Sequence, residues 1–329
     1  MQIPFDITAA ADLLEVSIQD IWMKVTNLTT YTDYQKYYNT ETGAEYYEKD
    51  SSISGLGLAA YQPDNAAAIK ESPIEGYDKT YTQEKHSKII PFTEDMWRFG
   101  IKQRHLEGIP AELRRSCAAK REKNTADQLN NSFATSYTDY DDEYGNRLIS
   151  TSGGDSVAYF SASHTNEGGG SNWNNIVYDG STYNMDFDYD ALEAAHKTST
   201  AILDPKEMIM DIKLDTLVCK LNSTVHRRAE EILNMKKKPG TADNDNASGV
   251  TGFKLLPLRY LTNDTAYWMF DSSLKNNWYG LQYKQSQDIT LYPQDIVYET
   301  GEIRYRAMLS YQIGANDMRN WVGSTGLNA

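Results

Sequence analysis

The 329-residue chain is poor in cysteine: Cys117 and Cys219 are its only two, about a hundred residues apart, which excludes a disulfide framework and gives no metal-ligand spacing. It has no apolar run near the roughly 18 residues a membrane-crossing helix needs. Its start has neither the basic n-region nor the apolar h-region of a secretory signal. A soluble chain that stays in a reducing compartment is the expectation. Basic residues are in the minority, 32 Lys and Arg against 46 Asp and Glu, giving a formal charge of −14 and a pI of about 4.8. Binding to nucleic acid or anionic membrane through total charge is thereby excluded.

Signatures of catalysis are also missing. The five histidines His86, His105, His164, His196 and His226 fall in no metal-binding pattern and read as structural or solvated. Asp139, Asp141 and Glu143 start like a calcium loop, but glycine comes one residue late at Gly145 and position twelve is Ser150 rather than glutamate. Asp186, Asp188 and Asp190 lack the glycine. Glu167-Gly168-Gly169-Gly170-Ser171 is not a P-loop, because no Gly-Lys-Ser/Thr follows, and no Gly-x-Ser-x-Gly elbow exists. No catalytic residue, metal ligand or cofactor is assigned.

What the chain does have is aromatic surface. Its 24 tyrosines and 6 tryptophans exceed what one core needs and suggest surfaces that meet a partner. Length and composition, 40% hydrophobic and 24% charged, fit about two domains or one large one with extensions.

Along the chain, Phe5 to Asn27 reads as an amphipathic helix with Asp6 as N-cap and a stripe of Leu14, Ile18, Ile21, Trp22 and Val25. Tyr46 to Phe92 holds strand-like segments around Gly55, Gly57, Pro63, Pro73 and Gly76. The stretch Tyr77 to Ile90 is β-prone but polar on both faces, so it reads either as a solvated hairpin or as an arm laid across another subunit. Thr93 with Glu94 and Asp95 starts a helix, and Pro110 is placed as N1 of a second one running to Phe133, together a long polar surface helix. Residues 94–124 carry eight basic and five acidic side chains, a local +3; residues 125–190 carry eleven acidic ones and only Arg147, a local −10.

Beyond residue 190 the periodicity predicts a helix over Asp190 to Lys197, a strand through Met208, Met210, Ile212 and Leu214, and a helix face of Leu217, Leu221, Val225, Ala229, Ile232 and Leu233. A loop containing Lys236-Lys237-Lys238 follows. Strands are expected at Phe253 to Tyr260 and Ala266 to Phe270. The cleanest is Ile303 to Ile313, whose eleven alternating residues would span roughly 36 Å. Mixing without regular βαβ repeats points to an α+β class.

In order, these pieces resemble the major capsid proteins of tailed bacteriophages with the HK97 fold. Tyr46 to Phe92 lies at the place of that family's extended loop, and Thr93 to Phe133 at that of its spine helix. Ala158-Tyr-Phe-Ser-Ala-Ser-His164, with Gly168 to Gly170 and Asn172 to Asn175, is similar to a "Leu-Phe-Ser-x-x-His … Gly-Gly … Asn" stretch of several capsid subfamilies. Leu217 to Leu233, Phe253 to Tyr260 and Asn263 to Asp271 resemble the axial-domain helix and strands, and Ile303 to Ile313 with Asp317-Met-Arg319-Asn-Trp321 and Gly323 resembles the closing strand and tail.

The resemblance implies an α+β, HK97-like capsid fold with an N-terminal arm (1–45), an extended β-hairpin loop (46–92), a spine helix and peripheral domain (93–200), an axial domain (201–300) and a closing strand with C-terminal tail (301–329). It implies a major head protein that self-assembles into pentamers and hexamers of an icosahedral shell around double-stranded DNA, built in the host cytoplasm and resident in the virion. The implied partners are further copies of itself, scaffolding, portal and decoration proteins, and weak non-specific contact with packaged DNA, but no membrane. Polar two-faced arms make sense as intersubunit elements. The expected contacts are Tyr46, Tyr47, Leu56, Leu58, Tyr61, Ile69, Tyr77 and Tyr81, buried against neighbours rather than within their own subunit. The expected inner basic face is Arg114, Arg115, Lys120, Arg121 and Lys123. Some members crosslink a loop lysine to a neighbour's asparagine; Lys70, Lys79 and Lys85 lie in that region, but none matches a motif position. Two alternatives stand beside this reading: an encapsulin-like compartment of the same fold, and, from another class, a carbohydrate-binding or carbohydrate-cleaving protein using the aromatic and acidic residues.

Overall fold

The computed structural model describes residues 31–53, 55–93, 103–140, 145–234, 253–275, 279–293 and 295–326. The expected helix Phe5 to Asn27, the first turn at Glu94 and Asp95, the Lys236 to Lys238 loop and residues Asp141 and Glu143 lie outside the described residues.

The described chain opens with one helical turn, α1 (Tyr34–Tyr37), and a short strand, β1 (Asn39–Thr42). A hairpin of β2 (Tyr47–Ile53) and β3 (Glu75–Thr82) follows, and after Gln83 comes β4 (Glu84–Phe92). The long helix α2 (Gln103–Asn130) leads to a small hairpin of β5 (Ser136–Asp139) and β6 (Arg147–Ser150). Then come α3 (Tyr189–Thr200), β7 (Thr216–Lys220), α4 (Thr224–Asn234), β8 (Lys254–Leu258) and β9 (Tyr267–Phe270). The chain closes through β10 (Leu281–Leu291), β11 (Asp295–Val297), β12 (Glu302–Ala315) and β13 (Trp321–Ser324).

Two sheets organise these elements. The first runs β1-β10-β12-β11, with β4 on the other side of β12; β1 is parallel to β10 and the remaining pairs are antiparallel. Its centre is β12, the strand most legible in the sequence. Ile303, Tyr305, Ala307, Leu309 and Tyr311 are buried, as their period of two requires. Helix α2 lies across this face. Its apolar stripe of Leu113, Cys117, Ala118, Ala126 and Leu129 is thin, and buried polar groups complete it. Asn124 Nδ2 donates to Tyr311 Oη at 2.8 Å, Tyr159 Oη to Gln128 Oε1 at 3.0 Å, and Tyr38 Oη to the Thr125 carbonyl at 3.0 Å. Beneath α2 an aromatic row, Tyr34–Tyr283–Tyr311–His86, crosses α1, β10, β12 and β4 with centroid spacings of 4.6, 5.2 and 5.0 Å.

The second sheet runs β13-β9-β7-β8. Strands β7, β9 and β13 are buried on both faces because each face has its own core. Trp268, Phe270, Val218 and Trp321 join the α2 side, whereas Tyr267, Met269, Leu217, Cys219 and Val322 pack toward α3 and α4. Asp188 caps α3, its carboxylate accepting the Ala191 N–H at 2.7 Å.

Several expectations are corrected. Pro110 starts no second helix; α2 runs through it, at the cost of the N–H that would bond four residues back. Nor does α2 merely lie on a surface, since Arg121, Glu122, Asn124, Thr125 and Gln128 are all buried. Tyr77 to Ile90 is not one arm: it breaks at Gln83, and β4 enters the main sheet. There His86 stacks on Tyr311 and Phe92 packs edge-on against Tyr305, so a polar-looking strand does present one face to its own subunit. The segment 208–214 forms no ladder, although Ile212 and Leu214 alternate inward. Leu217 belongs to strand β7 rather than to the helix face that follows. Two sheet pairings run across the expected boundary at residue 300. Strand β10 pairs with β12 in the first sheet, and β13 pairs with β9 in the second.

Candidate assembly surface

The hairpin β2–β3 is held to the body of the subunit at its base, along β3 and at its tip. Lys284 of β10, 6% exposed, reaches three carboxylates at the base: Asp50 at 2.7 Å, Glu48 at 2.9 Å and Glu41 at 3.6 Å. Burial opposes its charge, but the carboxylates prevail and hold its pKa above the ordinary lysine value. In the same balance burial would raise Glu48, and Lys284 holds it below the usual carboxylate range. Lys49 pairs with Asp78 across the hairpin. Asn316 Nδ2 donates to the Tyr77 carbonyl at 3.1 Å, Lys79 Nζ to the Ser152 carbonyl at 2.7 Å, and Tyr77 Oη meets Thr165 Oγ1 at 2.8 Å.

This base corrects one of the expected intersubunit residues. Tyr81, 3% exposed, is buried in its own subunit: its ring lies under Lys284 Nζ, 5.0 Å from centroid, and over Gly314, where a Cβ would come within 2.8 Å of the ring. Glycine at 314 is what lets the hairpin seat. Tyr77 is half-buried by its bond to Thr165. The other six are exposed. Tyr46 and Tyr47 pack edge to face at 4.7 Å, and the tip, residues 55–74, displays Leu56, Leu58 at 86%, Tyr61 at 88%, and Ile69. The tip is tethered by Glu71, which accepts the Gly57 N–H at 3.0 Å and pairs with Lys206 at 2.8 Å. Exposed apolar side chains gathered in this way are what contact surfaces display in general.

The expected basic face of α2 is largely neutralised within the subunit. Lys120 pairs with Asp139 at 3.0 Å, Lys123 with Asp127 at 2.9 Å, and Arg115 with Glu112 at 3.2 Å. Arg121 is no surface residue. It is 8% exposed, stacks on Tyr34 at 4.6 Å and reaches Asp288 at 3.3 Å, because β1, α1 and β10 close over that side of the helix. Arg114 is half-buried beside it.

Two of the stretches that carry the family resemblance, residues 158–175 and 317–321, meet in one polar knot. Buried His164 places Nδ1 2.7 Å from Asp155 and Nε2 3.1 Å from Asn175 Oδ1, and stacks on Trp173 at 4.1 Å. Asn175 in turn accepts the Ser161 N–H and donates to the Tyr159 carbonyl. Arg319 covers the other side of Trp173 at 4.9 Å, pairs with Asp317 and donates to the Leu203 carbonyl at 3.1 Å. Sequence reasoning missed Lys284 and the whole of β10, Leu-Gln-Tyr-Lys-Gln-Ser-Gln-Asp-Ile-Thr-Leu, whose only signal is an alternation of Leu281, Tyr283 and Gln285 too polar to stand out. Among the described residues no group of three or more His, Cys, Asp and Glu side chains could hold a metal ion, and no helix is long and apolar enough to cross a membrane.

The chain matches no protein-family model and no curated protein sequence. Solved structures do match. One from Mycobacterium phage Adephagia aligns with a TM-score of 0.51 and 13% identity, covering 89% of each chain. One from Microbacterium phage Oxtober96 aligns with a TM-score of 0.52 and 10% identity over 88% of this chain and 90% of that one. The capsid of the native GTA particle aligns at 0.50 and 10% identity over 90% of each. At such identities the likeness is one of fold alone: the chain shares the fold of these phage structures and of the GTA particle's capsid, a capsid fold as the resemblance in sequence implied.

Proposed function

We propose that this chain is a major capsid protein that closes a shell from pentamers and hexamers of itself around double-stranded DNA. One observation carries the reading: a hairpin anchored by charge at its base holds Leu56, Leu58, Tyr61 and Ile69 out into solvent in a chain with a capsid fold. The tip of such an arm leaves these side chains unburied in its own subunit and has an obvious use on a neighbour's. In this reading β2, β3 and their tip form the extended loop, α2 the spine, and the two sheets the centres of the peripheral and axial domains. Interface burial drives assembly and no catalytic step is required. Contact with packaged DNA is weak and non-specific, since most of the α2 basic side chains are already paired. Scaffolding, portal and decoration proteins are the further partners, assembly takes place in the host cytoplasm, and the mature location is the virion. Sizing and negative-stain microscopy of the expressed chain test the proposal. Capsomer rings or isometric shells support it, and a strict monomer at high concentration rejects it.

A further inference from the structure

Between α2 and β10 lies a cavity of about 320 Å³ whose floor is an unusual stripe of the helix. Arg114, Ala118 and Arg121 stand at i, i+4 and i+7, on one face, and the small alanine leaves open space between two guanidinium groups. Arg121 is more than nine-tenths buried, yet its Nε–H has no hydrogen-bond partner among the described residues. Elsewhere the guanidinium meets Asp288 at 3.3 Å and the Tyr31 carbonyl at 3.4 Å, with the Tyr34 ring and the Tyr283 side chain also facing it. Asp288 is 63% exposed at the rim, and the other rim carboxylate, Glu41, is turned to Lys284 at 3.6 Å. A buried donor left without an acceptor is costly, and a guanidinium edge is shaped for two oxygens.

We propose that this groove is a binding site for a phosphate-type oxyanion, held between the Nε edge of Arg121 and the guanidinium of Arg114. The two Cα atoms are about 10.5 Å apart along the helix, so side chains leaning toward each other over Ala118 can share one tetrahedral anion. Burial depresses the Arg114 pKa, the charge of Asp288 opposes this and that of Arg121 adds to it, and an anion between the two guanidinium groups would act in the same direction as Asp288. The source is either free phosphate or the phosphodiester of a nucleic acid backbone. The site does not depend on the capsid reading, because it lies within one subunit.

The test titrates inorganic phosphate against the unassembled full chain at constant ionic strength, with chloride as the balancing anion, followed by calorimetry and thermal unfolding. Saturable binding is expected in the wild type. Arg114→Gln should weaken it about tenfold, the loss of one charge-assisted contact, with little change in the phosphate-free melting temperature. Asp288→Asn, at an exposed position, should tighten it by removing the competing carboxylate. A short DNA duplex that displaces phosphate in wild type and not in Arg114→Gln identifies the backbone as the source, and a duplex that does not displace it identifies free phosphate. No saturable binding, or the same phosphate response in all three proteins, overturns the proposal.

Discussion

Lys284 and Asp50 are 234 residues apart in sequence and meet at 2.7 Å, tying the hairpin to the central sheet. The ammonium serves Glu48 and Glu41 as well, so one buried cation holds three partly solvated carboxylates.

Lys284→Met is therefore expected to loosen the hairpin without unfolding the subunit. The three carboxylates stay partly hydrated, so the loss should be about 1–3 kcal/mol rather than that of a fully buried pair. Hydrogen exchange would read it as faster exchange across 47–53 and 75–82 with α3 and α4 unchanged. Glu48 adds a pH dependence. Its pKa is depressed in the folded state, so its contribution is present above the ordinary carboxylate range and is lost as pH falls through the lowered value. Acid should loosen the wild-type hairpin and have less effect on the variant. Equal exchange in both proteins would remove Lys284 from this role.

Glu122 gives the opposite sign. Burial, then the charge of Asp33, pushes its carboxyl up to about 7, against the opposing backbone N–H of Tyr34 and the charge of Arg121. A raised carboxylate favours the folded state fully below the unfolded pKa, and that advantage disappears as pH rises through the folded value. Urea midpoints of the wild type should fall between about pH 4.5 and pH 7. Glu122→Gln should flatten this dependence and be more stable at pH 8, by on the order of 1–3 kcal/mol. A variant with an unaltered pH profile would assign the dependence to another group.

The knot around His164 should be structural. His164→Leu leaves the buried Asp155 carboxylate without its ring partner and is expected to cost about 3–5 kcal/mol, whereas Asp155→Asn, which keeps a hydrogen-bonding oxygen, should cost roughly 1 kcal/mol. Urea unfolding measures both, and losses below about 0.5 kcal/mol would mean the contact is idle.

What could be read from the chain follows the range over which each interaction acts. The period of β12, the strands near 254–258 and 267–270, the α3 start at Asp188 to Asp190 and the long helix are local patterns, and the ordered set of motifs pointed to the fold. Charge pairing is not local. Arg121 meets Asp288 across 167 residues, so a side chain that reads as a free surface cation is in fact enclosed. Tyr81 looked like its exposed neighbours Tyr46 and Tyr47, and only the glycine at 314 on a distant strand distinguishes it. In β4 and β10 polar residues pack inward by bonding α2 and the hairpin base, which a hydrophobic period cannot reveal.

The hairpin tip is where fold and function meet. Leu58→Asp with Tyr61→Asp changes two solvent-exposed side chains and should shift subunit stability by no more than about 0.5 kcal/mol. Sedimentation velocity of wild type and double variant, each checked by negative-stain microscopy, is the decisive measurement. The expected result is shells or large capsomers from the wild type, and from the variant folded subunits or small rings with an unchanged melting temperature. A wild type that stays monomeric at every concentration, or a variant that builds the same particles, would contradict the assignment of this surface to assembly.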